Sequence, residues 1–228
     1  MVNFDVDPQV LRPFVPFGTE LDDWNGRTFV SLVGFLFLKT RIFGVAIPWH
    51  RDFEEVNLRF YVRRRTSDGW QRAVVFVKEI VPRRAIALTA RALYGEQYIA
   101  LPMDHHIEEN VALGMPCGVS YSWWLRGREN RIAISVNDGF CEVAEGSDVE
   151  FITEHYWGYA RRREGRTTEY RVEHPRWRVR LAIDSQVDCD VTALYGDQFV
   201  DFLRRPPASA FLAEGSAVSV FRGTTLRS

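Results

Sequence analysis

The segments VNLRFYVRR (56–64) and WQRAVVFVKEIV (70–81) flank TSDG (66–69). Both are rich in β-branched and aromatic residues, and Asp-Gly is a strong hairpin signal, so the chain is committed early to a long antiparallel pair. A lone hairpin is not stable in water, so the rest of the chain must supply strands or helices that cover it.

The flanking sequence supplies them. RTFVSLVGFLFL reads as a strand, and CGVSYSWWLR, RIAISV and FCEVA read as further strands, the last two joined by NDG. EFITEHYWGYARR and TTEYRVEHPRW form another strand pair across the turn REGR, and SAVSVFRG a last strand. Helical signals are fewer. DPQVLRPFVP has Asp7 as N-cap and Pro8 at the first helical position. PRRAIALTARALYG has apolar residues at helical spacing and stops at Gly95; CDVTALYGDQFVDFLRR reads as one more helix. With no linker-like stretch, residues 1–228 are read as one mainly antiparallel α+β domain, a β-barrel or cone with a few flanking helices.

Charge and cysteine content restrict function. The net charge of −1 gives no general attraction to nucleic acid or to an acidic membrane. The longest apolar stretch, GFLFLKTRIFGVAIP, is interrupted by Lys39 and Arg41 and is not a membrane span. Cys117, Cys141 and Cys189 are odd in number and contain no C-x-x-C, which fits a reducing compartment. The N-terminal MVNFDVDP carries acid where a signal peptide carries base, so a cytoplasmic protein is expected. No Walker loop, dinucleotide fingerprint or G-x-S-x-G elbow is present, and no cofactor is expected.

Within EEVNLRFYV (54–62), strand alternation puts Val56, Leu58 and Phe60 on one face and Glu55, Asn57, Arg59 and Tyr61 on the other. That polar row is either the wet side of a sheet or the lining of a site. On the next strand, simple alternation groups Val74, Phe76 and Lys78 on one face and Val75, Val77 and Glu79 on the other. Lys78 is read as a strand-end residue that reaches water or a carboxylate. His105 and His106 are neighbours in PMDHHIEEN, so on a strand they point to opposite faces and cannot share an ion. Asp104, Glu108 and Glu109 add oxygens without a standard zinc spacing, so this stretch is read as a polar loop and no metal is expected.

DVDPQVLRPFVPFGTELDDWNGRTFVSLVGF, FEEVNLRFYV, the AR-x-LYG helix, EHYWGY and RVEHPRW together resemble the YqjF-like family of unknown function. That family is in turn more distantly similar to acetoacetate decarboxylase. The resemblance implies a β-barrel or cone with an internal pocket, often in a homo-oligomer. In the decarboxylase a lysine amine forms a Schiff base with a β-keto acid, and a second lysine lowers its pKa. The matching positions along RALYGEQYIALP fall at Tyr98 and Ile99, neither of which has an amine, so imine chemistry is not expected. The decarboxylase's pocket glutamate falls on Glu55.

These readings converge on a pocket for a small organic acid or carbonyl compound. Glu55 would donate or accept a proton, and Arg59 would grip a carboxylate through its planar fork. Asn57 and Tyr98 would orient the ligand, with Tyr94 at the helix end and His155 on a neighbouring strand as further contacts. Catalysis, if present, would be of lyase or isomerase type. The alternative is a non-catalytic sensor or a structural homo-oligomer whose contacts come from aromatic strands such as SWW at 122–124.

Overall fold

The computed structural model describes residues 1–228 except 43–44, 47–50, 96, 111–113, 137–138, 163–164 and 227–228, and except the side chains of 41–42, 45–46 and 90–94. The turns expected at NDG and REGR fall partly outside these described residues. The first strands are β1 (Val2–Asp5), β2 (Glu20–Leu21), β3 (Phe29–Phe37), β4 (Arg41–Ile42), β5 (Val45–Ala46), β6 (Phe53–Thr66), β7 (Gly69–Val81), β8 (Tyr98–Ala100) and β9 (Met103–Asn110). They are followed by β10 (Met115–Leu125), β11 (Arg128–Val136), β12 (Trp157–Arg161), β13 (Thr167–Glu173), β14 (Val179–Asp188), β15 (Ser209–Ala213), β16 (Ser219–Val220) and β17 (Thr224–Leu226). The α-helices are α1 (Pro8–Leu11), α2 (Arg84–Tyr94), α3 (Asp148–Thr153), α4 (Val191–Tyr195) and α5 (Val200–Leu203). None is long and apolar enough to cross a membrane.

A 15-stranded sheet runs in the order β16-β13-β12-β7-β6-β3-β1-β15-β14-β11-β10-β9, with β17 on β13, β2 on β6 and β8 on β7. Pairing is antiparallel except that β7 is parallel to β12 and to β8. The sheet does not close, so the expected barrel is an open one; its edge strand β9 returns to lie near β6.

β6 and β7 form the expected hairpin, with Thr66 paired to Gly69. Val56, Leu58, Phe60 and Val62 join the main core with Val30, Leu32, Tyr121, Trp123, Ile132 and Phe199. The opposite face of β6 is covered as well. Tyr61 packs with Phe29, Phe151 of α3 and Phe211, while Phe53 packs with Val81 and with Ala87 of α2.

One irregularity in β7 rearranges its faces. Leu58 pairs with Lys78, whereas the next residue, Arg59, pairs with Phe76. Val77 is therefore the extra residue of a β-bulge. Before it Val75 faces the main core, and after it Ile80 does. Glu79, expected beside Val75 and Val77, is instead opposite Asn57, and Lys78 takes the Leu58 side.

Other expectations are corrected. EFIT is not strand but part of α3. Ser147 Oγ accepts from Glu150 N–H at 3.1 Å, and Glu150 Oε2 accepts from Gly146 N–H at 2.6 Å, so local capping outweighs the β-like composition. MDHHIEEN is the edge strand β9 rather than a loop, because it finds β10 as a partner. FCEVA contributes only the bridge Cys141–Val179, leaving β14, which carried no strand reading, to pair with β11 and β15. The last helix is broken at Gly196, whose φ of 104° no helix accommodates. Trp123 is fully buried in the core and is not a free contact surface.

Candidate active site

The polar row of β6 is not a wet face. Glu55 is 2% exposed and Asn57 1% exposed, and Glu79 of β7, directly across from Asn57, is 1% exposed. β8 then adds Tyr98, paired with Glu79. Asn57 Nδ2 donates to Glu55 Oε1 at 3.0 Å, and the Tyr98 hydroxyl donates to Glu55 Oε2 at 3.3 Å. Tyr98 also hydrogen-bonds Glu79, so one phenol stands between two carboxyl groups. Asn57 Oδ1, buried beside them, has no hydrogen-bond partner.

Burial dominates the electrostatics. Desolvation raises Glu55 from the usual 4.5 to about 7, against the opposing effect of its bonds from Asn57 and Tyr98. Burial, followed by the fields of Glu55 and Glu79, raises the Tyr98 phenol well above its usual 10. A single phenol proton cannot satisfy two carboxylates at once; the cluster is satisfied when one carboxyl keeps its own proton.

Arg59 does not join this cluster. Four residues of strand separate it from Glu55, roughly 13 Å. Its Nη2 donates to Ile152 O at 3.1 Å, in the last turn of α3, and lies 3.8 Å from Met1 Sδ. The single pocket expected to hold both Glu55 and Arg59 is thus corrected: the two share a face but not a neighbourhood. Buried Arg59 Nε has no partner.

His155 belongs with Arg59. It lies just before β12 rather than on it, with its ring 4.7 Å from that of Tyr61 and edge-on to Phe151 at 5.7 Å. Neither ring nitrogen has a hydrogen-bond partner, and burial, then Arg72 and Arg59, holds its pKa well below the usual 6.5. Tyr61 is fixed by Ser31 Oγ at 2.6 Å, and Ser31 by Asn3 at 2.7 Å. Tyr94 ends α2, and its side chain lies outside the described residues.

The site therefore gathers Glu55, Asn57 and Tyr98 as expected, adds Glu79, and leaves Arg59 and His155 apart. Lys78 is half-buried on the opposite face, with its pKa lowered by desolvation and no carboxylate partner among the described residues. Two open clefts, of about 470 and 530 Å³, flank α1 and are lined by residues such as Arg12, Asp23 and Arg205; none of the Glu55 cluster lines them.

An open, mainly antiparallel sheet with few helices is the fold of the acetoacetate-decarboxylase-like proteins. The structure matches an acetoacetate decarboxylase-like enzyme from Sphingomonas wittichii RW1 with a TM-score of 0.65 at 12% identity, covering 99% of this chain and 89% of that one. It matches acetoacetate decarboxylase from Legionella pneumophila with a TM-score of 0.64 at 10% identity, covering 99% and 83%. A third match is the enduracididine biosynthesis enzyme MppR complexed with pyruvate, with a TM-score of 0.62 at 12% identity, covering 98% and 82%. At these identities the likeness is one of fold.

Sequence places the chain more narrowly. It belongs to the DUF2071 family, described as an uncharacterized conserved protein, whose family model matches residues 1–217. The uncharacterized protein YqjF of Bacillus subtilis (strain 168) is 33% identical over 103 residues, 44% of this chain; the match spans 40% of YqjF's length.

Proposed function

We propose that the Glu55–Asn57–Glu79–Tyr98 cluster is a cofactor-free proton-transfer site for a small carbonyl compound, giving lyase- or isomerase-type chemistry. The observation that supports this reading most is the buried Glu55 carboxyl, raised to about 7 and bonded to both Asn57 and Tyr98. A carboxyl that titrates near neutral pH is suited to both halves of a proton transfer. In this reading the Tyr98 phenol polarises the carbonyl oxygen, Asn57 Oδ1 accepts from the ligand, and Glu55 moves the proton at the adjacent carbon. Two buried carboxyl groups favour an uncharged ligand over an organic acid, because Arg59 is too distant to neutralise a short carboxylate held at Glu55. α2 packs on Phe53 and Tyr98 at this face, and Glu55 is 2% exposed, so in this reading ligand entry requires a neighbouring element to move aside.

The test is hydrogen–deuterium exchange at the carbon next to the carbonyl, followed by NMR in D₂O for a panel of small ketones, aldehydes and keto acids. The purified protein should accelerate exchange for at least one compound. Glu55→Gln should reduce that rate by about 10²-fold or more. Equal rates with the native protein, the variant and no protein would remove the basis for the proposal.

A compatible second reading, a homo-oligomer, is favoured by the apolar pair Leu181 and Ile183, exposed at 50% and 72% on β14. Light scattering should then give a multiple of 26.4 kDa that falls to the monomer mass in Ile183→Lys; a native monomer would exclude it.

A further inference from the structure

A second group of ionisable side chains lies on the other face of β6, one residue from Glu55. Glu54 points to the Val56 and Leu58 side, where edge strand β9 returns toward β6. There Glu54 Oε1 lies 2.7 Å from His105 Nδ1, and Asp104 Oδ1 accepts from the His105 backbone N–H at 2.8 Å. One ligand atom from each of Glu54, Asp104 and His105 lies within 4.8 Å of the others. Atoms bound to a single ion at about 2.0–2.2 Å are at most about 4.4 Å apart, so a set within 4.8 Å stands close to that reach.

The cluster has two properties of a cation site. Its imidazole is backed: the His105 ring stacks on Tyr121 at 6.3 Å. Tyr121 in turn lies over Gly34, where a Cβ would come 2.4 Å from the ring. Its charge is also uncompensated, since neither Glu54 nor Asp104 has a lysine or arginine partner among the described residues.

We infer that Glu54, Asp104 and His105 bind one first-row divalent cation, with zinc the best-matched probe for a set of one imidazole and two carboxylates. The ion takes the place of the direct Glu54–His105 contact and leaves at least one coordination position for water. It ties β9 to β6 where no backbone hydrogen bonds join them, so it acts as a clasp on the open side of the sheet. Ligands drawn from positions 54 and 104–105 close a long loop, which makes the clasp stabilising.

The experiment is a thermal melt of the purified full chain with ZnCl₂, with bound zinc counted by elemental analysis after dialysis. At a free zinc concentration 100 times Kd the melting temperature should rise by about 5–10 °C, with one zinc per chain. His105→Ala and Glu54→Gln should each abolish the rise while melting close to the native protein without zinc, because both positions reach the surface. His106→Ala, on the opposite face, should retain it. No rise for the native chain, an undiminished rise in His105→Ala, or an equal loss in His106→Ala would overturn the assignment.

Discussion

Replacing Glu55 by glutamine removes the titration of a single buried carboxyl and keeps its shape and most of its hydrogen bonds. Its pKa in the folded chain is about 7, against 4.5 without burial. Between those values the folded state holds a proton that the unfolded state has released. Stability contributed by Glu55 is therefore full at low pH, falls as pH rises from 4.5 to about 7, and is level above. The interval, at about 1.36 kcal/mol per pH unit, comes to about 3 kcal/mol. Between pH 5.5 and pH 8 roughly 2 kcal/mol of it should be lost. The assay is urea unfolding of native protein and Glu55→Gln at both pH values, read as the difference between the two proteins so that other titrations cancel. The variant should gain roughly 2 kcal/mol relative to native on going from pH 5.5 to pH 8, with unchanged m-values. A difference between the proteins that stays the same at the two pH values would mean that Glu55 titrates as an ordinary surface glutamate, and the site reasoning would fail with it.

Tyr98→Phe should cost about 1–2 kcal/mol for the lost hydrogen bond. It should also move Glu55 titration further above 7, because the phenol stabilises the ionised carboxyl; carbon NMR of glutamate-labelled protein reads this, and a downward move would contradict it. Gly158→Ala should destabilise by about 1–3 kcal/mol or more, since the new Cβ would stand 2.2 Å from Tyr170 Cζ, with Tyr170 buried. Adding Tyr170→Leu should recover part of that loss in thermal melts, and additive losses would rule out the packing explanation.

The legible part of this structure is the part set by local periodicity. Alternation along β6 correctly placed Glu55, Asn57, Arg59 and Tyr61 together, and Asp-Gly marked the hairpin. Asp7 caps α1 through Gln9 N–H at 2.8 Å, as its position before Pro8 suggested. What alternation could not carry was the bulge at Val77, because Val, Phe and Lys follow one another in AVVFVKEIV with nothing to mark an extra residue. Glu79 was therefore assigned to the wrong face. The separation of Glu55 from Arg59 was hidden for a different reason: sharing a face fixes direction but not which distant segment arrives. Ile152 and His155 claim one end of the row, and Tyr98 the other. Glu54 and His105 meet only through the return of β9, a tertiary event with no signature in either segment.

The extra residue in β7 has a consequence for how such a chain can change. Counting regularly from Arg59 and Phe76, Lys78 rather than Glu79 would stand across from Asn57. Deleting Val77 would leave Glu79 in place, because Leu58–Lys78 and Asn57–Glu79 are already the pairs beyond the bulge; a one-residue slip that takes Val77 into the ladder opposite Leu58 would instead exchange a carboxyl for an ammonium in the interior. The bulge thus holds an acid–acid arrangement that a regular ladder of the same amino acids would turn into an amine–acid one.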